Sequence, residues 1–316
     1  MPKSSRAAFG RCCKKPRKPE KFRLRLRLQD VGPVRALIVC LCIVPVANCQ
    51  PAGLAENQAL PKLTDSEMER FLLTAEISNM RVIESGATKP YRATLSDGKL
   101  THDAQIQFVD ESKAEFKNKD GSIEKDFRDS YKFNIAAYRA DRLVGLSMTP
   151  VTVERSVNGK PAAVTWWLDD VLMTELERRD KNVQAPDFND WTNQYHDMRV
   201  FDELIGNFDR NQGNLLITKD WKLWTIDHTR SFRTVPEIRE PKYLVRCDHR
   251  LLDRIRKLTE AQVKQALQPY LDDRQIWAFM SRRDKIVAYL DSEISSKGAD
   301  AVLTGMPRST QHVSVP

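Results

Sequence analysis

In the stretch from Asn207 to His228, Asp209 is followed five residues on by an amide, Asn214, and thirteen residues further by a second acid, Asp227. Phosphoryl transfer asks little covalent work of a protein. It needs one group to orient the attacking hydroxyl and accept its proton, and oxygen ligands to fix Mg²⁺ on the donor's phosphates. An acid opening a loop, an amide on that loop and an acid at a nearby strand end supply those parts. Asp209 would be the base or orienting group, Asn214 and Asp227 the metal ligands, and Arg210 a positive charge beside the loop. Gly213 permits the turn.

The same residue types also make an ordinary loop between a helix and a hairpin, since Asp, Asn and Gly are what turns use. A calcium loop of the EF type is a third reading. Against it, Gly213 stands fifth from Asp209 rather than sixth, and no Glu follows at the twelfth position.

The elements around the loop are legible from periodicity. Asp190 to Asn207 has an apolar helical face of Trp191, Tyr195, Met198, Phe201, Leu204 and Ile205, and leads into Asp209. Leu215–Ile217 and Leu223–Ile226 form a hairpin around residues 219–221 and deliver Asp227. Upstream, Leu63 to Ile77 predicts a helix opened by the Thr64/Glu67 capping box. Tyr91–Leu95, Ala104–Val109 and Lys113–Phe116 read as an antiparallel meander. A helix is predicted over Asp129–Val144, ending at Gly145, then a hairpin turning at Asn158-Gly159. Helices are expected at Val171–Arg179, Leu251–Leu258, Thr259–Leu271 and Arg274–Ser292, with a disordered tail over 295–316.

Asp209-Arg-x-x-Gly-Asn-x-Leu216, followed by a hairpin and Ile226-Asp227, resembles the catalytic and metal-binding loops of phosphatidylinositol 3- and 4-kinases and related atypical kinases. The spacings from Asp209 to Asn214 and from Asn214 to Asp227 also resemble those of ordinary protein kinases. The upstream half resembles the small lobe of secretory-pathway Golgi casein kinases and HipA-like kinases. The matching residues there are Lys113-Ala-Glu-Phe-Lys117, the helix Asn134–Leu143 and the strand opening at Pro150–Arg155. The whole string also resembles a group of bacterial proteins, over about residues 64–290.

The resemblance implies that Lys117, or Lys113 on the same strand, bridges the α- and β-phosphates of ATP. It makes Ser85-Gly86-Ala-Thr88 a stand-in for the phosphate loop, with Gly86 and Thr88 as its contacts, and Trp166-Trp167-Leu168 the hinge, with Trp167 against adenine. Either lysine could equally be a solvated strand residue, and the tryptophans equally core. Two positions depart from the family pattern. Asn134 stands where the lysine-pairing glutamate is expected, leaving Glu124, Asp126 or Asp129 as substitutes, and His228 replaces the aromatic residue after the metal aspartate.

The formal charge of +8 is concentrated at one end. Residues 1–30 carry eleven Lys or Arg against Glu20 and Asp30, an excess larger than that of the whole chain, so the remainder is near neutral. That argues against nucleic acid as a partner, because phosphate-backbone binding needs a basic surface on the folded part. The basic run precedes the apolar stretch Ala36–Ala47, the layout of an export leader and too short for a comfortable span, with residues 21–49 a route to membrane association. An exported or membrane-associated protein is expected if this leader is real, and a cytoplasmic one otherwise. Five of the six cysteines precede Gln50, leaving Cys247 alone, which makes neither an internal disulfide nor a four-ligand zinc site.

The expected organisation is a leader over 1–50, a linker over 51–63, an N-lobe over 64–168 and a C-lobe over 169–294. The fold class is α+β, a two-lobed protein-kinase-like fold with a small antiparallel-sheet N-lobe and a mainly helical C-lobe. The expected function is an ATP- and Mg- (or Mn-) dependent phosphotransferase acting, as a monomer, on a hydroxyl of a lipid, protein or sugar. The alternatives are a pseudokinase that binds nucleotide or partners without turnover, and a nucleic-acid binder acting through residues 3–27.

Overall fold

Thr64 opens the fold: its hydroxyl accepts the Glu67 N–H while the Glu67 carboxylate accepts the Thr64 N–H, the reciprocal cap that its spacing predicts. The computed structural model describes residues 63–84, 88–117, 121–208 and 210–305, all within one compact unit that starts at Leu60. The leader, most of the linker, Gly86 and Asp209 lie outside the described residues.

In chain order the elements are α1 (Asp65–Thr74), β1 (Glu76–Val82), β2 (Tyr91–Ser96), β3 (Thr101–Gln107), β4 (Asp110–Lys117), β5 (Ile123–Ser130), α2 (Tyr131–Val144), β6 (Thr152–Val157) and β7 (Lys160–Trp166). Then follow β8 (Val171–Thr174), α3 (Glu175–Asp180), α4 (Phe188–Ile205), β9 (Leu215–Thr218), β10 (Leu223–Thr225), β11 (Cys247–Asp248), α5 (His249–Lys257), α6 (Glu260–Leu267), α7 (Asp273–Lys297), α8 (Ala299–Val302) and β12 (Leu303–Thr304).

The expected two-lobed α+β architecture is present. The small lobe is a five-stranded antiparallel sheet in the order β1-β2-β3-β7-β6. Ala93, Leu95, Ala104, Ile106 and Val164 pack with Phe71 and Leu72 of α1 into its core. Because strand side chains alternate, Arg92, Asp103, Gln105 and Gln107 face away from that core. The β6–β7 hairpin turns at Asn158 (φ 53°) and Gly159 (φ 77°), both left-handed as a type I′ turn requires. The second core is helical and built from α2, α4, α5, α6 and α7. Phe133, Ala136, Ala137 and Ala140 of α2 belong to it, while Tyr138 reaches back to the sheet, so one helix joins both lobes. Cys247 is buried in the helical core.

Three expectations need correction. Lys113–Phe116 does not continue the meander. β4 leaves β3 and pairs only with β5 in a separate ribbon, and β7 takes its place beside β3. The cause is composition: Asp110-Glu-Ser-Lys-Ala-Glu-Phe-Lys117 has no apolar face to lay on the core, and only Phe116 finds cover, stacked on Phe127 at 4.1 Å. Val171–Thr174 is strand rather than helix. It pairs with β9, and the Thr174/Glu177 capping box starts α3 only at Glu175. The tail from 295 is not disordered over its first ten residues: α7 runs to Lys297, and α8 carries the chain into β12, which lies parallel to β11. Among the described residues no helix is long and apolar enough to cross a membrane.

Asp197 ties α4 to this junction by accepting the Asp248 N–H at 2.8 Å. Burial pushes its carboxyl up to about 7, with the Asp248 charge adding to the effect. A carboxyl raised in the folded state holds a proton the unfolded chain has lost, so its contribution to stability declines as pH rises from about 4 to about 7. Asp197→Asn keeps the acceptor oxygen and cannot ionise. It is expected to be neutral at pH 4 and stabilising by about 2–4 kcal/mol at pH 8. Urea denaturation at the two pH values measures this, and the same effect at both would exclude it.

Candidate functional site

α4 ends at Gly206, whose left-handed φ of 62° turns the chain and whose Cβ-less face lies against the Arg282 guanidinium. The loop that follows is held by its own side chains. Asn211 Oδ1 accepts the N–H groups of Gly213 (2.9 Å) and Asn214 (3.1 Å), shaping a 3-10 turn over Gln212–Asn214. The Asn214 carbonyl then accepts the Ile226 N–H, which brings the end of β10 back beside the loop. Asn214 Nδ2 and Asp227 Oδ2 stand 3.3 Å apart.

Asp227 has a left-handed φ of 56°, a conformation that costs a non-glycine residue free energy and marks a position held by its surroundings. One of those surroundings is Asn134. Its Oδ1 accepts the His228 N–H at 2.8 Å, so the residue standing where a lysine-pairing glutamate was expected instead clamps the turn after Asp227. His228 is fully buried, and burial together with the Arg210 charge holds its imidazole neutral.

Arg210 takes a role other than the one expected. Its guanidinium makes a bidentate pair with Asp202 (3.0 and 2.9 Å) and donates to the Ile226 carbonyl at 2.7 Å. Both side chains of the pair are only 10% exposed, so Arg210 braces the end of α4 against the end of β10 and does not face the cleft.

Asn214 and Asp227 open into a cleft of about 800 Å³ between the sheet and the helical lobe. Thr88, Gln105 and Gln107 line its sheet side, and Trp167 and Asp169 its connecting edge. Trp166 and Trp167 both line the cleft; the Trp166 ring is stacked on His102 at 3.7 Å and edge-on to Phe71, and Trp167 has Arg92 over its ring at 4.1 Å. The structure therefore gathers Thr88, Trp167, Asn214 and Asp227. It does not bring in Lys113 or Lys117. Both sit on the exposed β4–β5 ribbon, Lys113 turned to Glu111 at 2.7 Å, because that ribbon has left the main sheet. Among the described residues no lysine lines the cleft.

Asp129, at the end of β5, is a third carboxylate in the cleft. Burial and then the Asp227 charge push its carboxyl up, against hydrogen bonding by the Thr229 hydroxyl, which also bonds Asp227 at 3.1 Å. Among the described residues, Asp129 Oδ1 is buried without a hydrogen-bond partner. An orphaned carboxylate oxygen beside Asp227 and Asn214 makes an all-oxygen donor set, which suits a hard divalent cation such as Mg²⁺ or Mn²⁺. In the sequence Asp129 was legible only as one of three acids offered as substitutes for a glutamate; what places it here is the β5–α2 junction, where the Ser130 N–H bonds the Thr229 carbonyl.

A helical lobe, a small antiparallel sheet and a carboxylate-amide loop facing a cleft between them define a kinase-like class. A family model for phosphatidylinositol 3- and 4-kinase matches residues 56–251, and the chain belongs to that family. Solved structures agree on the fold. A hydra Fam20 solved with a sugar superposes with a TM-score of 0.57 at 16% identity, covering 76% of this chain and 91% of that one. A Golgi casein kinase superposes with a TM-score of 0.57 at 14% identity, covering 76% and 77%. No curated protein sequence matches the chain.

Proposed function

We propose that the protein is an ATP-dependent phosphotransferase that uses Mg²⁺ or Mn²⁺ and acts on a hydroxyl of a lipid, protein or sugar acceptor. The observation that carries this reading is the meeting of Asn214, Asp227 and Asp129 at the floor of one cleft, in a family of kinases. These three would hold the cation, which when bound neutralises charge on the phosphate oxygens. Trp167 and the hinge bind the base, and Thr88 meets the phosphates from the sheet side. Asp209 accepts the acceptor's hydroxyl proton as its oxygen bonds to the γ-phosphorus and the bond to the β-phosphate oxygen breaks, releasing ADP.

A second reading has its own support. Gln105 and Gln107 occupy the cleft face of β3 and Asn134 is engaged with His228, so the strand-lysine and helix-glutamate pair is missing among the described residues. A pseudokinase that binds nucleotide without turnover follows if no other cation serves.

A thermal-shift titration of the full chain with ATP, with and without Mg²⁺ or Mn²⁺, tests the reading. Saturation about a hundredfold above Kd adds about 2.7 kcal/mol. A metal-dependent rise of several degrees, with release of ADP on adding a pool of hydroxyl acceptors, is expected. A rise without transfer supports the pseudokinase, and no rise with either metal sinks both.

A further inference from the structure

The hinge ends in an acid with one oxygen engaged and one to spare. Asp169 lines the cleft directly after Trp166-Trp167-Leu168. Its Oδ2 stands 2.6 Å from His102 Nε2, and since a carboxylate only accepts, the imidazole N–H is the donor. His102 lies on the core face of β3 in line with Ala104 and Ile106, its side chain is 3% exposed, and the Trp166 ring stacks on it. A polar ring on that face costs free energy unless it is bonded, and among the described residues its one hydrogen bond goes to Asp169. The Asp169 side chain is half exposed, and among the described residues its Oδ1 has no hydrogen-bond partner. An acceptor held in place on one side and open to the cleft on the other loses little freedom when a donor meets it.

The hinge backbone has spent donors, not acceptors. The Trp166 N–H bonds the Val151 carbonyl and the Trp167 N–H bonds the Asp103 carbonyl, so neither is available to a ring nitrogen. Arg92, over the Trp167 ring, is already paired with Asp103 at 2.6 Å. Ile83, Pro150, Val171 and Leu216 add apolar lining for a flat ring. The purines differ in what they show such a site. Adenine offers an acid one amino hydrogen, beside an N1 lone pair that the carboxylate repels. Guanine offers N1–H and its 2-amino group side by side, two donors that match the two oxygens of a carboxylate. Asp169 Oδ2 keeps a second lone pair beside the His102 bond, so both oxygens serve.

We propose that Asp169 reads the donor edge of guanine, so that the cleft takes GTP as well as ATP, with His102 as the positioning residue. The proposal rests on the phosphotransferase reading of the same cleft and extends it to the base that the nucleotide carries.

The test is calorimetric binding of ATP, GTP, inosine triphosphate and 2′-deoxy-GTP, each with Mn²⁺, to the full chain and to Asp169→Asn, His102→Phe and Asp227→Ala. Wild type should bind GTP within about tenfold of ATP or more tightly, and inosine triphosphate, which lacks the 2-amino group, about tenfold more weakly than GTP. Asp169→Asn should lower the ratio of GTP to ATP affinity by about 10- to 100-fold, the range for hydrogen bonds to a charged group, because the amide turns one acceptor into a donor. The same drop should appear with 2′-deoxy-GTP, since the base and not the ribose is read. His102→Phe keeps an aromatic ring against Trp166 and releases the carboxylate, and should lower the ratio by a smaller factor; damage to packing alone would weaken both nucleotides alike. Binding of ATP without binding of GTP, an unchanged ratio in Asp169→Asn, or a drop that disappears with 2′-deoxy-GTP each overturns the proposal. If ATP binds with a metal dependence that Asp227→Ala abolishes, the phosphotransferase reading stands whatever the ratio does; a wild type that binds neither nucleotide ends both.

Discussion

Asp227→Ala and Asp227→Asn are both expected to lower phosphate transfer by about a thousandfold or more, since a bound cation's stabilisation of transition-state charge amounts to several kcal/mol and each 1.4 kcal/mol is about tenfold. The two variants separate chemistry from backbone. Asp227 sits at φ 56°, which Asn tolerates and Ala does not, so Ala carries an added cost of about 1 kcal/mol. Among the described residues its side chain bonds only Asn214 and Thr229, at the cleft surface, so Asp227→Asn should keep the unliganded melting temperature within a degree or two. Steady-state transfer on both variants, with melting curves beside it, decides the matter. Transfer by Asp227→Asn within tenfold of wild type would remove Asp227 from the metal site.

Arg210→Ala should be the most damaging change to the framework of the site, by about 3–5 kcal/mol, because it leaves Asp202 as a nearly buried carboxylate without its cation. Asn207 Nδ2, which also bonds Asp202 at 3.0 Å, cannot neutralise that charge. The Ile226 carbonyl, one residue before Asp227, loses its donor in the same step, so transfer should fall together with stability. Arg210→Met with Asp202→Leu removes both charges and should cost clearly less than Arg210→Ala alone. Guanidinium denaturation of the single and double variants reads this directly. A single variant that costs under about 1 kcal/mol would mean that water screens the pair, as it does at a surface.

The elements most legible in the sequence are those whose signals are local. α2 stops at Gly145 and the β6–β7 hairpin turns at Asn158-Gly159, because left-handed positions select their residues from the chain itself. The helix before Asp209 and the hairpin before Asp227 were visible for the same reason, and with them the spacing that relates Asp209, Asn214 and Asp227. Boundaries shifted where a cap overrode periodicity, as at Thr174, whose pairing with Glu177 gave Val171–Thr174 to the sheet.

What the sequence by itself determined is therefore the two-lobed class, most of the helices and hairpins, and the spacing of Asp209, Asn214 and Asp227, all written in separations of a few residues. Tertiary structure alone decided which charges meet. Lys113 and Lys117 had the right residue type on a strand, yet that strand had no apolar face to hold it to the sheet, and it carried them out of the cleft. Arg210 looked like a charge for the site and became a buried brace, while Arg230 and Asp129, a hundred residues apart, were brought to the same cleft. Pairings over such separations depend on which surfaces are left to bury once the local elements have formed, and no short-range pattern records that.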